Sequence, residues 1–95
     1  MRPERRNSRK GSVLVVDDEE IVRNSLERLL RVIGIESTGF PSAEAFLNAY
    51  TGDDTGCLLV DIRMPGISGI DLLSELRRRG SKMQAIVITG HTDEG

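Results

Sequence analysis

The sequence is poor in aromatic residues and in cysteine. It has no Trp, one Tyr and two Phe in 95 residues, so we expect a thin core built from Val, Ile and Leu. The single cysteine, Cys57, cannot form an internal disulfide. It lies in an apolar run, which predicts a small buried thiol. A single cysteine without an internal partner also predicts a reducing, cytoplasmic setting. No apolar run is long enough to span a membrane.

The formal net charge of −2 conceals an uneven distribution along the chain. Residues 1–11 are polar, their charged residues are basic except Glu4, and they contain Pro3 and Gly11 without apolar periodicity. We interpret them as a disordered basic arm. Such an arm could contact an anionic surface, but a solubilising role is the simpler explanation. Residues 12–95 are acidic on balance and long enough for one domain.

Short apolar segments alternate with segments of helical periodicity after the arm. Val and other β-branched residues predict strands at 13–16, 35–40, 57–60 and 85–88. Apolar residues at helical spacing predict helices over 22–33, 43–50 and 69–79, with Gly34 and Gly80 as stops and Ser42 and Ser68 as N-caps. This alternation predicts an α/β fold with a parallel sheet and right-handed crossovers.

Acidic residues follow two of the predicted strands. Asp17 and Asp18 end the first strand, Asp61 ends the third, and Thr89 ends the fourth. Because the carboxyl ends of parallel strands share one edge of the sheet, we expect these side chains to converge. Clustered carboxylates resist joint ionisation, so the pattern predicts a bound cation, and Mg²⁺ prefers such oxygen ligands.

The same residues suggest phosphoryl chemistry. Asp61 can act as a carboxylate nucleophile, and the Thr89 hydroxyl can donate to a phosphoryl oxygen. Acidic residues are also common at helix starts, where they favour the helix dipole, and for Glu19 and Glu20 this simpler explanation is preferred. His91 has no second histidine or cysteine near it, so we expect it to be exposed.

Three stretches, VLVVDDEE, LLVDIRMPGISGIDLL and VITGH, together resemble the receiver domain of two-component response regulators. DIRMPG followed by VITGH is most similar to FixJ-type receivers, which usually precede a LuxR-type helix-turn-helix. The resemblance covers roughly residues 12–92. It implies a flavodoxin-like, doubly wound sheet and a phosphoryl transfer from a sensor histidine kinase with Mg²⁺ as cofactor.

The resemblance also implies roles for individual residues. Asp61 corresponds to the phospho-acceptor, and Thr89 to the switch residue that contacts the phosphoryl group. The implied metal ligands are Asp17, Asp18, Asp61 and the backbone carbonyl of Arg63. The loop that places Asp61 is implied to be shaped by Met64, Pro65 and Gly69.

The chain departs from the family pattern at its C-terminal end. The family has a fifth strand and two further helices, whereas this sequence supports a strand order of 2-1-3-4. Lys82 is the only lysine after the arm, and it precedes the fourth strand, so it cannot replace the family's lysine on the fifth strand. No output domain is present, so DNA binding is not expected of this chain.

Two functions from different classes therefore stay open. The first is a phospho-accepting signalling module that catalyses at most its own phosphorylation. The second is a phosphorylation-impaired interaction module that forms a homodimer or exchanges elements through an open sheet edge. A phosphatase with an aspartate nucleophile is disfavoured, because Arg63 stands where such enzymes need a second acid.

Overall fold

The computed structural model describes residues 12–52 and 56–88. The predicted basic arm and Thr89 lie outside this part of the chain. Within it, strands and helices alternate as the periodicity predicted. The elements are β1 (Val13–Val16), α1 (Glu20–Val32), β2 (Ser37–Phe40), α2 (Ala43–Ala49), β3 (Cys57–Asp61), α3 (Gly69–Arg78) and β4 (Gln84–Ile88).

The strands form one parallel sheet in the order β2-β1-β3-β4. This confirms the predicted order 2-1-3-4 and the doubly wound α/β class. At the carboxyl end, Val16 of β1 lies beside Phe40 of β2 and Val60 of β3. The residues that follow β1 and end β3 are therefore neighbours at one edge of the sheet.

The helix ends follow the local signals in the sequence. The Ser42 hydroxyl accepts a hydrogen bond from the Ala45 N–H at 3.0 Å, and the Ser68 hydroxyl accepts one from the Asp71 N–H at 3.1 Å. Each bond satisfies a backbone donor that the first turn of a helix leaves unpaired. None of the helices within residues 12–52 and 56–88 is both long and apolar enough to cross a membrane.

The main core lies between one face of the sheet and helices α2 and α3. Val and Leu side chains of the sheet meet Phe46 there, which is fully buried and stacks edge-on against Phe40. The expectation of a core of Val, Ile and Leu was therefore wrong in part. Among the described residues, no isoleucine is in the buried core, and Ile21, Ile33, Ile70 and Ile86 are exposed.

Helix α1 packs over β1 and β2 and buries none of its residues completely. Leu29 and Ile33, which the periodicity placed on its buried stripe, are 58% and 62% exposed. Packing on β1 and β2 therefore covers only part of the apolar side of α1. Cys57 was predicted to be buried but is half-buried, because it begins β3 at the opposite end of the sheet from the acidic residues.

Candidate functional site

Three carboxylates meet at the carboxyl edge of the sheet. Asp17 and Asp18 follow β1, Asp61 is the last residue of β3, and each contributes a carboxylate oxygen to a group whose members lie within 4.8 Å of one another. Asp17 and Asp61 are each only 2% exposed, whereas Asp18 is open to solvent. The cluster thus combines two buried carboxylates with one that is accessible to solvent.

The two buried aspartates are oriented in the same way. Oδ1 of Asp17 accepts a hydrogen bond from the Glu19 N–H at 2.9 Å, and Oδ1 of Asp61 accepts one from the Arg63 N–H at 3.1 Å. A bond to the backbone two residues further on forms an Asx-type turn. It limits rotation of each carboxylate and so fixes the direction of its second oxygen.

The loop after β3 holds Asp61 against the start of α3. A side chain at Gly69 would collide with the carbonyl oxygen of Asp61 and with the Ile62 backbone. Glycine is therefore the residue that permits this close approach. Met64 is buried in the main core, whereas Pro65 is exposed. These positions are compatible with the predicted loop-shaping roles, which stay predictions.

Burial, together with repulsion from neighbouring carboxylates, raises the pKa of Asp17. Burial raises this pKa above its ordinary value of 3.8, the Glu19 N–H opposes that effect, and the negative charges of Asp61, Asp18 and Glu19 raise it further. Ionised Asp17 is thus disfavoured when the pocket contains no cation. The folded chain binds this proton more tightly than the unfolded chain does.

Asp17→Asn is therefore expected to stabilise the metal-free chain at neutral pH. The stability of the unmodified chain falls as pH rises from 3.8 through the raised pKa that Asp17 has in the folded state. In this pH range the folded state binds more protons than the unfolded state does. The amide keeps an oxygen for the Glu19 N–H but carries no charge. We expect a higher melting temperature, and each ~1 kcal/mol of gain would correspond to roughly 4–8 °C in a domain of this size.

Thermal melting in a chelator at neutral pH and below pH 3.8 measures this effect. The gain should vanish at the lower pH, where Asp17 is protonated in both states. Asp71→Asn is the matched control, because Asp71 is an exposed aspartate in the first turn of α3 and should give no gain. An unchanged or lower melting temperature of Asp17→Asn at neutral pH would contradict the assigned repulsion.

The donor set fits a hard divalent cation. Carboxylate oxygens on two adjacent strand ends are ligands that Mg²⁺ accepts, and Mg²⁺ commonly keeps several waters beside one or two carboxylates. The exposed side at Asp18 leaves room for such waters and for an incoming anionic group. A cation in this pocket would also offset the repulsion that raises the Asp17 pKa.

The other predicted residues have three different outcomes. Arg63 contacts the site through its backbone N–H, and its side chain is exposed, so the predicted role of its carbonyl stays a prediction. Thr89 and His91 lie outside the described residues. Glu20 is in the first turn of α1, as the helix-dipole interpretation predicted.

One neighbour of the cluster, Arg23, was not predicted from the sequence. The guanidinium of Arg23 donates from Nη1 to the backbone carbonyl of Asp17 at 2.9 Å. A cation near the N-terminus of a helix is unfavourable to the helix dipole. That placement was a signal that Arg23 has a specific partner, although it could not say which one.

Comparison with known proteins places the chain in a family. The family model described as the response regulator receiver domain matches residues 13–95. The transcriptional regulatory protein FixJ of Azorhizobium caulinodans is 52% identical over 81 residues, which cover 85% of this chain and 38% of that regulator. This chain therefore spans well under half the length of that relative.

Solved structures share the fold of this chain. The FixJ-N crystal structure superposes with a TM-score of 0.79 at 44% identity, and the match covers 86% of this chain and 66% of that one. The response regulator TrrA of Thermotoga maritima, crystallised with Mg²⁺ and BeF, has a TM-score of 0.76 at 31% identity. That match covers 85% of this chain and 70% of TrrA.

Proposed function

Since the chain belongs to the response regulator receiver domain family, we propose that it accepts a phosphoryl group on Asp61 from a sensor histidine kinase. The observation that carries the proposal is the buried carboxylate of Asp61 within 4.8 Å of those of Asp17 and Asp18. Asp61 lies at the end of a strand beside two further carboxylates. This arrangement suits transfer of a phosphoryl group to Asp61 when a bound cation neutralises the negative charge of the carboxylates.

The proposed reaction is a substitution at phosphorus. An oxygen of Asp61 forms a bond to the phosphorus of a phosphohistidine, and the bond from phosphorus to the imidazole nitrogen breaks. The electron pair leaves with the imidazole, and the product is an acyl phosphate. The Arg63 N–H, which binds Oδ1 of Asp61 at 3.1 Å, orients the carboxylate so that its other oxygen attacks. The chain thus supplies positioning, which is most of what phosphoryl transfer requires.

The residues proposed to hold Mg²⁺ are Asp17, Asp18, Asp61 and the carbonyl of Arg63. When bound, Mg²⁺ offsets the negative charge of the carboxylates and of the phosphoryl oxygens. Asp18 is the ligand on the exposed side, so it borders the opening through which a kinase would present its phosphohistidine. Thr89 is proposed as the switch residue, and a cytoplasmic location stays a prediction.

A second candidate function is supported by the edge of the sheet. Among the described residues, β4 has no strand on its outer side, and Ile86 and Val87 are 52% and 36% exposed. An apolar strand edge favours pairing with another chain. The chain would then act as an interaction module, and failure of Asp61 to become phosphorylated in the presence of Mg²⁺ would favour this alternative.

Titration with Mg²⁺, followed through backbone amide shifts, tests the proposed site. We expect weak binding, with residues 17–20 and 61–63 shifting first, because their N–H groups adjoin the three carboxylates. Asp18→Asn should reduce the affinity by roughly tenfold or more, whereas Asp71→Asn, away from the cluster, should leave it unchanged. Shifts that scatter over Asp53, Asp54 and Asp93 would show that the site is wrongly assigned.

A further inference from the structure

The side chain of Arg23 contacts the backbone of the acidic cluster. It lies on α1, and its Nη1 donates to the carbonyl of Asp17 at 2.9 Å. That carbonyl belongs to the peptide that joins Asp17 to Asp18. The direction of this peptide determines where the Asp18 side chain leaves the backbone, because the peptide unit is planar.

The path of Arg23 depends on a glycine in β2. Gly39 pairs with Val15 of β1, and a Cβ at this position would lie 3.0 Å and 3.1 Å from Cγ and Cδ of Arg23. It would also collide with the carboxylate of Glu27, one turn further along α1. The missing side chain at 39 thus leaves the space that the Arg23 stem and the Glu27 carboxylate share beside β2.

The Asp17 backbone is fixed on both sides by these contacts. Its N–H donates to the Phe40 carbonyl at 3.1 Å, and its carbonyl accepts from Arg23. Bonds from a charged donor are stronger than neutral ones, so the guanidinium holds the carbonyl more firmly than a neutral amide would. Only the carbonyl bond acts on the peptide that carries Asp18.

We propose that Arg23, lying across Gly39, is a positioning residue of the acidic cluster. It holds the Asp17–Asp18 peptide in the orientation that brings the Asp18 carboxylate toward those of Asp17 and Asp61. The inference rests on the proposed function in that it assigns Arg23 to the same cation site. It goes further because the site then depends on α1, which carries Arg23, and on β2, which carries Gly39, although neither element contributes a metal ligand.

The sign of the effect on Mg²⁺ affinity separates this role from a purely electrostatic one. A nearby guanidinium repels a divalent cation, so if charge were its only effect, Arg23→Gln would bind Mg²⁺ more tightly. A positioning role predicts the opposite. We expect the dissociation constant of Arg23→Gln to rise roughly tenfold, as for other groups that orient metal ligands, and Arg23→Lys to recover part of the loss.

The experiment compares Mg²⁺ titrations of the unmodified chain with Arg23→Gln, Arg23→Lys and Gly39→Ala, each checked by circular dichroism for folding. Gly39→Ala retains the arginine, but its Cβ would displace the Glu27 carboxylate and crowd the Arg23 stem, so it should weaken binding in the same direction as Arg23→Gln but by less. The control is Arg28→Gln, since Arg28 is an exposed arginine on the same helix and should not change the affinity. Tighter binding by Arg23→Gln, or a lower melting temperature with unchanged affinity, would overturn the proposal.

Amide shifts of the metal-free chains provide a second measurement. Arg23→Gln and Gly39→Ala should both shift the amides of Asp18 and Glu19, which follow the carbonyl that loses its donor. If the unmodified chain bound no Mg²⁺, the proposed function would fail, but these shifts would still test the contact. Shifts of Asp18 and Glu19 identical to those of the unmodified chain would refute the positioning role even if Mg²⁺ binds.

Discussion

Asp61→Asn should abolish phosphorylation of this chain by a small acyl phosphate such as acetyl phosphate. The amide can still accept the Arg63 N–H through its oxygen, so the geometry that fixes Oδ1 at 3.1 Å can be kept. What disappears is the nucleophilic carboxylate oxygen, because a carboxamide is a far poorer nucleophile. The loss should therefore be complete and should occur without unfolding.

Mass spectrometry after incubation with donor and Mg²⁺ measures the phosphorylated fraction. We expect slow labelling even of the unmodified 95-residue chain, because Lys82 lies before β4, at the opposite end of the sheet from Asp61. A ¹⁹F signal from bound beryllium fluoride is therefore a useful second readout. It should appear with the unmodified chain and Mg²⁺ and be absent from Asp61→Asn.

Asp71→Asn is the matched control, since it changes an exposed aspartate on α3 and should be labelled like the unmodified chain. Phosphorylation that persists in Asp61→Asn would show that another residue is the acceptor. Rapid labelling of the unmodified chain would show that a lysine near the phosphoryl group is not needed.

The 95-residue chain should self-associate through β4 when it is prepared alone. Within the described residues β4 is an edge strand, and its side chains Ile86 and Val87 are 52% and 36% exposed. Across the sheet, Leu29 and Ile33 of α1 are also exposed. Burial of a few hundred Å² of such surface contributes several kcal/mol at ~25 cal/mol per Å², comparable with the whole stability of a small domain.

Sedimentation equilibrium over a wide range of concentrations, combined with thermal melting, measures this association. Ile86→Lys should shift the chain toward monomer, because a charged side chain on an edge strand opposes pairing with a second edge. Ile70→Lys is the control, since Ile70 is an equally exposed isoleucine on α3 rather than on the strand edge. A monomer at every concentration, with a cooperative melt, would show that these four strands and three helices suffice.

The sequence by itself determined the order and type of the elements and the edge at which the acidic residues meet. Strand and helix periodicity, the caps at Ser42 and Ser68, and the glycine stops are local features, and each acts within a few residues of its own position. The convergence of Asp17, Asp18 and Asp61 follows from parallel strands alone, because all three residues lie at carboxyl ends. These predictions needed no knowledge of side-chain contacts.

Only the tertiary structure decided which apolar residues are covered and what holds the cluster in place. Leu29 and Ile33 are exposed although helical periodicity placed them on an apolar stripe, since burial depends on which part of each helix meets the sheet. The bond from Arg23 to the Asp17 carbonyl also needs the space above Gly39, which belongs to another strand. Such contacts join residues distant in sequence, and periodicity carries no information about them.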